Sequence, residues 1–141
     1  MEAIVSALFQ PTPLAPALAR NWIEGLPVDT SMAIDLRLMT HEVVSNGVQH
    51  SGVGPKEPVR LNIFLGVDRV RIEVWDGGPG FSASPEPPSE GKERGMGLFL
   101  VERLSDRWGA QAGECNCNCV WFEVDLSRQR ASTEPKALVT S

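Results

Sequence analysis

The stretch VRLNIFLGVDRVRIEVWDGGPG, residues 59–80, decides the fold. Val59, Leu61, Ile63, Leu65 and Val67 alternate with Arg60, Asn62 and Phe64, the two-residue period of a strand with one buried face. After a tight turn around Gly66 to Arg69, Val70, Ile72 and Val74 alternate with Arg71, Glu73 and Trp75. The two runs therefore predict a hairpin whose second strand ends at Asp76. Asp76-Gly77-Gly78-Pro79-Gly80 follows, and small residues at a strand end let the backbone approach a ligand closely, although a plain turn would use the same residues.

Working outward, residues 3–9 (AIVSALF) predict a short strand, and Pro13 and Pro16 suit the first turn of a helix running to about Pro27. Asp29, Thr30 and Ser31 offer N-caps for a second helix over about 31–50, with Ile34, Leu38, Val44 and Val48 as its apolar contacts. Gly52 and Gly54 end it. On the other side of the hairpin, residues 77–93 are dense in Gly, Pro, Ser and Glu without an apolar period, which predicts a mobile loop long enough to be a lid. Gly95 opens a third helix carrying Met96, Leu98, Leu100, Val101 and Leu104, and Val120, Phe122, Val124 and Leu126 mark a final strand. This order predicts a two-layer α/β sandwich of the α+β kind, with helices on one face of a mainly antiparallel mixed sheet. One domain over residues 1–126 and a disordered tail over 127–141 complete the expectation.

A chain of 141 residues with 42% hydrophobic content suits one globular domain. A net charge of −5 disfavours a protein that works by neutralising nucleic-acid phosphates, which needs clustered Lys and Arg. No apolar run approaches the roughly 20 residues that span a bilayer, and the N-terminus lacks the pattern of a signal peptide. Three cysteines crowded into 115–119 make no paired disulfide framework. The expected address is cytoplasmic, with neither nucleic acid nor membrane as partner.

Glu42, Asn46 and His50 fall four residues apart, so they share one stripe of the second helix. A solvated helix face explains such spacing as well as a site does. One carboxylate beside one neutral oxygen ligand also suits Mg²⁺, a hard ion that keeps several waters and takes few protein oxygens. Gly95-Met96-Gly97 sits at a helix start, where free amides and the helix dipole attract phosphate. No G-x-x-x-x-G-K-[ST] occurs, because Gly91-Lys92 is followed by Glu93, and no G-x-G-x-x-G follows a strand. P-loop and Rossmann readings are thereby poor.

Three stretches, HEVVSNGVQHSG (41–52), VWDGGPGF (74–81) and ERGMGLFLVERLSDRWG (93–109), resemble in order and spacing the N box and two glycine boxes of the GHKL ATPase superfamily. With VWFEVDL (120–126) closing a short lone domain, the chain looks most like the anti-sigma-factor serine kinases of bacterial partner-switching systems. The resemblance implies a Bergerat-type pocket for ATP or ADP. Asp76 would accept from the adenine amino group, Gly78 and Gly80 would shape the adenine wall, and Asn46 would hold Mg²⁺. Gly95, Met96, Gly97 and Leu98 would lie against the phosphates, and Lys92 or Arg94 would bring positive charge from a lid over 82–94. Glu42 resembles the catalytic base that takes a proton from a serine hydroxyl. The implied partners are a sigma factor and its anti-anti-sigma, STAS-type antagonist. A non-catalytic module gated by ATP or ADP would use every glycine feature equally, and only Glu42 speaks for catalysis.

His50 is assigned no chemical role. Cys115, Cys117 and Cys119 depart from the family pattern and read as ordinary small strand residues, since alternate positions stand about 6.5–7 Å apart, too far for all three to hold one ion without a bend. On the sheet face away from the helices, Phe64, Trp75 and Trp121 sit among Arg60, Arg71, Glu73 and Glu123, an arrangement that suits a homodimer or partner surface.

Overall fold

The computed structural model describes residues 2–49, 57–77, 94–112 and 117–127. Its elements run β1 (Ala3–Phe9), α1 (Ala15–Glu24), α2 (Thr30–Gln49), β2 (Val59–Leu65), β3 (Arg69–Asp76), α3 (Arg94–Leu104), β4 (Arg107–Ala112) and β5 (Asn118–Asp125). The strands form one sheet in the order β1-β2-β3-β5-β4, and every neighbouring pair is antiparallel. The fold is thus α+β, as the alternation predicts, with no parallel pair among the described strands.

The β2–β3 hairpin pairs Leu61 with Val74 and Ile63 with Ile72, and the Gly66 amide donates to the Arg69 carbonyl at 2.8 Å to close the turn. β5 continues the ladder, setting Val120 opposite Val74 and Phe122 opposite Ile72. Because side chains alternate across a strand, the inward set is Leu61, Ile63, Val70, Ile72, Val74, Val120, Phe122 and Val124, all buried in one cluster with α1 and α2. Burying one large aliphatic side chain is worth roughly 1.5–3 kcal/mol, so this cluster is the main source of stability.

Helix α2 starts where the sequence places a cap: Asp29 Oδ1 accepts from the Met32 amide at 2.8 Å. Val44 is buried and Val48 packs against the core as expected, but the N-terminal half differs in phase from the sequence expectation. The buried residues are Met32, Leu36, Met39, Thr40, Val43, Val44 and Gly47, whereas Ile34 and Leu38 are 57% and 40% exposed. The reason is compositional: Thr40 and Gly47 interrupt the apolar pattern on the core side, so hydropathy favours the wrong face. Val67, assigned to the buried face of β2, instead sits at the turn, fully exposed.

Strand β4 is absent from the sequence expectation. RWGAQA offers one large apolar residue, Trp108, and therefore no visible alternation. It becomes a strand by pairing with β5, Trp108 opposite Phe122 and Ala110 opposite Val120, which shows tertiary pairing overriding weak local propensity. α1 is shorter at both ends than expected, Ala15–Glu24, with Pro16 in its first turn.

Outward from the sheet lies a lattice of ions. Glu123, almost fully buried, accepts from Arg69 Nη1 at 3.2 Å, Arg71 Nη1 at 3.0 Å and Arg107 Nε at 2.8 Å. The Arg71 guanidinium stacks 4.3 Å from the Trp121 ring centre and also pairs with Glu73 at 3.0 Å, while Trp75 Nε1 donates to Glu73 Oε1 at 3.2 Å. Phe64, Trp75 and Trp121 are half-buried within or beside this lattice.

Candidate functional site

β3 ends on the inward phase, so Asp76 points under the helices and is 5% exposed. Such a carboxylate needs polar partners to stay in place. One is Asn118, the first residue of β5 and its register partner: Asn118 Nδ2 donates to Asp76 Oδ1 at 3.3 Å, and Asn118 is itself 4% exposed. The other boundary is α2. A Cβ placed on Gly47 would stand 3.4 Å from Asp76 Oδ2 and 3.5 Å from its Cβ. A small residue at this position therefore lets the carboxylate lie against the helix.

That contact fixes what else is near. Asn46 precedes Gly47 on α2, and Glu42 lies one turn earlier on the same stripe. Both are partly exposed, flanking a helix face that is otherwise packed. α3 packs on α2, with Leu98 and Val101 buried in the shared core. Gly95 and Gly97 fall inside the first turn of α3, which begins at Arg94, and the amides of a helix's first turn lack intrahelical partners.

Asp76 and Gly77 also border a cavity of about 1070 Å³ that opens on the outward side of the sheet, among Leu8, Glu57, Arg60, Trp75 and Cys117. A Cβ on Gly77 would come 2.7 Å from Glu57 Cβ, so a side chain there would have to displace Glu57. Cys119 is a free thiol, and burial, with the charge of Glu73, pushes it up to about 12. Among the described residues no cluster of His, Cys, Asp and Glu could hold a metal ion.

Of the residues singled out from the sequence, the fold sets Asn46 next in the chain to Gly47, the residue that lies against Asp76, keeps Glu42 on the Asn46 stripe of α2, and buries Leu98. The backbones of Arg94, Gly95, Met96 and Gly97 open α3. Gly78, Gly80, Lys92, His50, Cys115, the lid over 82–93 and the tail from 128 lie outside the described residues. Sequence reasoning missed Gly47 and Asn118. Asn118 could have been found by carrying the inward phase of Val120 two residues back, and Gly47 by asking why a glycine interrupts a long helix.

A buried strand-end aspartate packed against Gly47 of α2, on a five-stranded antiparallel sheet, agrees with a class of nucleotide-hydrolysing domains. The chain belongs to the histidine kinase-like ATPase domain family, whose model matches residues 6–124. In sequence it is 33% identical over 85 residues to "Serine-protein kinase RsbW" of Oceanobacillus iheyensis, a match covering 51% of this chain and 53% of that protein. The chain thus spans about half the length of that relative. In structure it resembles the Erythrobacter litoralis EL346 blue-light activated histidine kinase, with a TM-score of 0.61 at 23% identity over 83% of this chain and 41% of the other. The catalytic domain of histidine kinase ThkA aligns with a TM-score of 0.52 at 17% identity, over 67% and 68% of the two chains. These structural likenesses define the fold, and the family defines ATP or ADP as the ligand class.

Proposed function

We propose that this chain is an ATP-dependent protein serine/threonine kinase that acts as an anti-sigma factor. In this reading it sequesters a sigma factor in the cytoplasm and phosphorylates a serine of the STAS-type anti-anti-sigma protein. The observation that supports it is the close approach of Gly47 to the buried Asp76, on the helix that also carries Asn46 and, one turn earlier, Glu42. The relative named as a serine-protein kinase supports the same reading.

Asp76 accepts a hydrogen bond from the adenine amino group, and the same carboxylate repels the carbonyl oxygen that guanine presents there. The first-turn amides of α3, Gly95 to Leu98, orient the phosphates, and Gly78 and Gly80 shape the wall beside adenine. Lys92 or Arg94 brings positive charge to the phosphates. Asn46 and Glu42 offer hard oxygen donors, the donor chemistry that Mg²⁺ takes, so Asn46 suits that ion. When bound, Mg²⁺ neutralises charge on the phosphates. Glu42 accepts the proton of the incoming serine hydroxyl, and positioning of the nucleotide contributes more to rate than that proton removal.

The test is incubation with labelled ATP, Mg²⁺ and STAS-type proteins from the same genome, read as phosphoserine. Transfer is expected from the native chain and loss of transfer from Glu42→Ala, with ADP binding kept. Nucleotide binding without any transfer would favour the non-catalytic, ATP/ADP-gated regulator. Failure of ADP to raise the melting temperature, or an unchanged ADP affinity in Asp76→Asn, would remove the pocket assignment.

A further inference from the structure

Helix α2 inverts the usual order of a surface helix. Between Ser31 and Gln49 its only exposed side chains are Ile34 and Leu38, 57% and 40% exposed, whereas Asp35, Arg37, His41, Glu42, Ser45 and Asn46 are all half-buried. A helix at a protein surface ordinarily gives its most exposed positions to polar and charged residues. Here the two side chains that stand furthest into solvent are apolar.

Their direction follows from their neighbours. Leu36 and Val43 are buried in the core and lie about half a turn round α2 from Ile34 and Leu38, which therefore form the crest of the helix. Arg37 reaches Glu24 of α1 at 3.5 Å, so α1 occupies one flank of α2. α3 packs on α2 as well and takes the other flank. From Ile34 to Leu38, Glu42 and Asn46, each step of four residues advances about 40° round the axis, and the advance leads away from the α1 flank. The four side chains thus trace one path, from the apolar crest down to the flank that α3 faces, with Glu42 next after Leu38.

This path decides how another protein meets Glu42. The core closes the opposite side of α2, so a serine from outside arrives over the crest. Beyond Glu42 stands Asn46, the residue suited to the metal, which leaves the Leu38 side for the segment that carries the serine. Leu38 and Ile34 lie about 6 and 12 Å along the axis from Glu42, at about 1.5 Å per residue. An extended segment rises about 3.3 Å per residue and turns alternate side chains to one face. Its second and fourth residues from the serine therefore come over Leu38 and Ile34.

We infer that Ile34 and Leu38 set the substrate specificity of the candidate site, receiving apolar side chains two and four places from the phosphoacceptor serine of an extended protein segment. The inference rests on the kinase reading, with Glu42 as the group the serine approaches. The occupant is a segment and not a whole partner face: the two side chains expose on the order of 200 Å², far below the roughly 1,200 Å² of a specific protein interface.

The test separates this inference from the reading it rests on. The full chain, with ATP and Mg²⁺, is assayed for phosphoserine against rising concentrations of a STAS-type protein from the same genome. Leu38→Glu and Ile34→Glu should each raise KM for that protein at least tenfold, with kcat changed by about twofold or less, because only binding is lost. ADP affinity and circular dichroism should stay as in the native chain. Val67→Glu, at a fully exposed apolar site on the end of the β2–β3 hairpin opposite Asp76, should leave KM unchanged. A Lys placed in the STAS-type protein two residues from its phosphorylated serine should restore most of the KM lost in Leu38→Glu. An active native chain whose KM is indifferent to both α2 variants, or a fall in kcat at constant KM, would overturn this inference alone. No phosphoserine from the native chain would overturn the kinase reading and this inference with it.

Discussion

Asn118 donates to Asp76 at 3.3 Å between two side chains that are each about 5% exposed or less. A buried carboxylate loses this donor only at a cost of about 1–3 kcal/mol. Asn118→Leu should therefore lower the urea midpoint and also weaken ADP binding by roughly tenfold, about 1.4 kcal/mol, because the carboxylate is no longer held in one orientation. Asn118→Ser, which keeps a donor, should recover part of both. Calorimetric titration with ADP alongside urea unfolding checks this; a loss of stability with full ADP affinity would make Asn118 purely structural.

Gly47 separates the two roles differently. A methyl at position 47 meets Asp76 at ordinary contact distance, 3.4 Å, so Gly47→Ala should fold. Replacing glycine inside a helix favours the folded state by up to about 1 kcal/mol, and a higher melting temperature is expected. Gly47→Leu has no such room and should displace the Asp76 carboxylate, lowering both stability and nucleotide affinity.

The hairpin and its inward set were legible because β2 and β3 alternate without interruption, and side-chain period alone then fixes the face. The candidate site was legible as a spacing, Glu42 to Asn46, but not as a place. Its walls, Gly47 and Asn118, depend on contacts between elements far apart in sequence, and neither residue type announces a ligand. In α2, Val44 and Val48 were placed correctly, whereas Ile34 and Leu38 were misplaced because the core side of the helix holds Thr40 and Gly47 while these two apolar residues face solvent. β4 was invisible because small and polar residues become a strand only when β5 offers an edge.

Glu123 should make the protein acid-sensitive. Burial works to raise its pKa, but hydrogen bonds from Arg107 and Arg71 and the charges of Arg69 and Arg71 outweigh that, holding the carboxyl below its ordinary range. A carboxylate depressed in the folded state stabilises it above the unfolded pKa, about 4.3 for Glu, and the contribution is lost as pH falls through the folded value. Stability should decline below about pH 5, and Glu123→Gln should flatten that decline while costing about 1–3 kcal/mol at pH 7. Urea midpoints from pH 3 to 7 provide the comparison.

Cys119 acts at the other end of the pH scale. Its thiol is raised to about 12 in the folded chain, against about 8.5 when unfolded. The folded state therefore holds the proton while the unfolded state loses it, and stability should fall as pH rises between those values. The chain contains no tyrosine to obscure the effect. Cys119→Ala should show a shallower alkaline decline, and in the native chain Cys119 should resist iodoacetamide at pH 8, because the thiolate is the nucleophile.

Gly109 lies under the Trp121 ring, and a Cβ there would stand 2.7 Å from Nε1 and 2.9 Å from both Cε2 and Cζ2. The ring cannot simply move aside, because the Arg71 guanidinium stacks on it at 4.3 Å while Arg71 is held by Glu73 and Glu123. Gly109→Ala should consequently cost about 1–3 kcal/mol, the range for overpacking a fitted site. In a Trp121→Ala background the obstructing ring is gone, so the same glycine change should cost a few tenths of a kcal/mol at most, within the additivity error of independent sites. The four urea unfolding curves of that cycle decide it. Equal costs in both backgrounds would mean that the penalty comes from the β4 backbone and not from the ring, and the ion lattice around Glu123 would then be independent of Trp121.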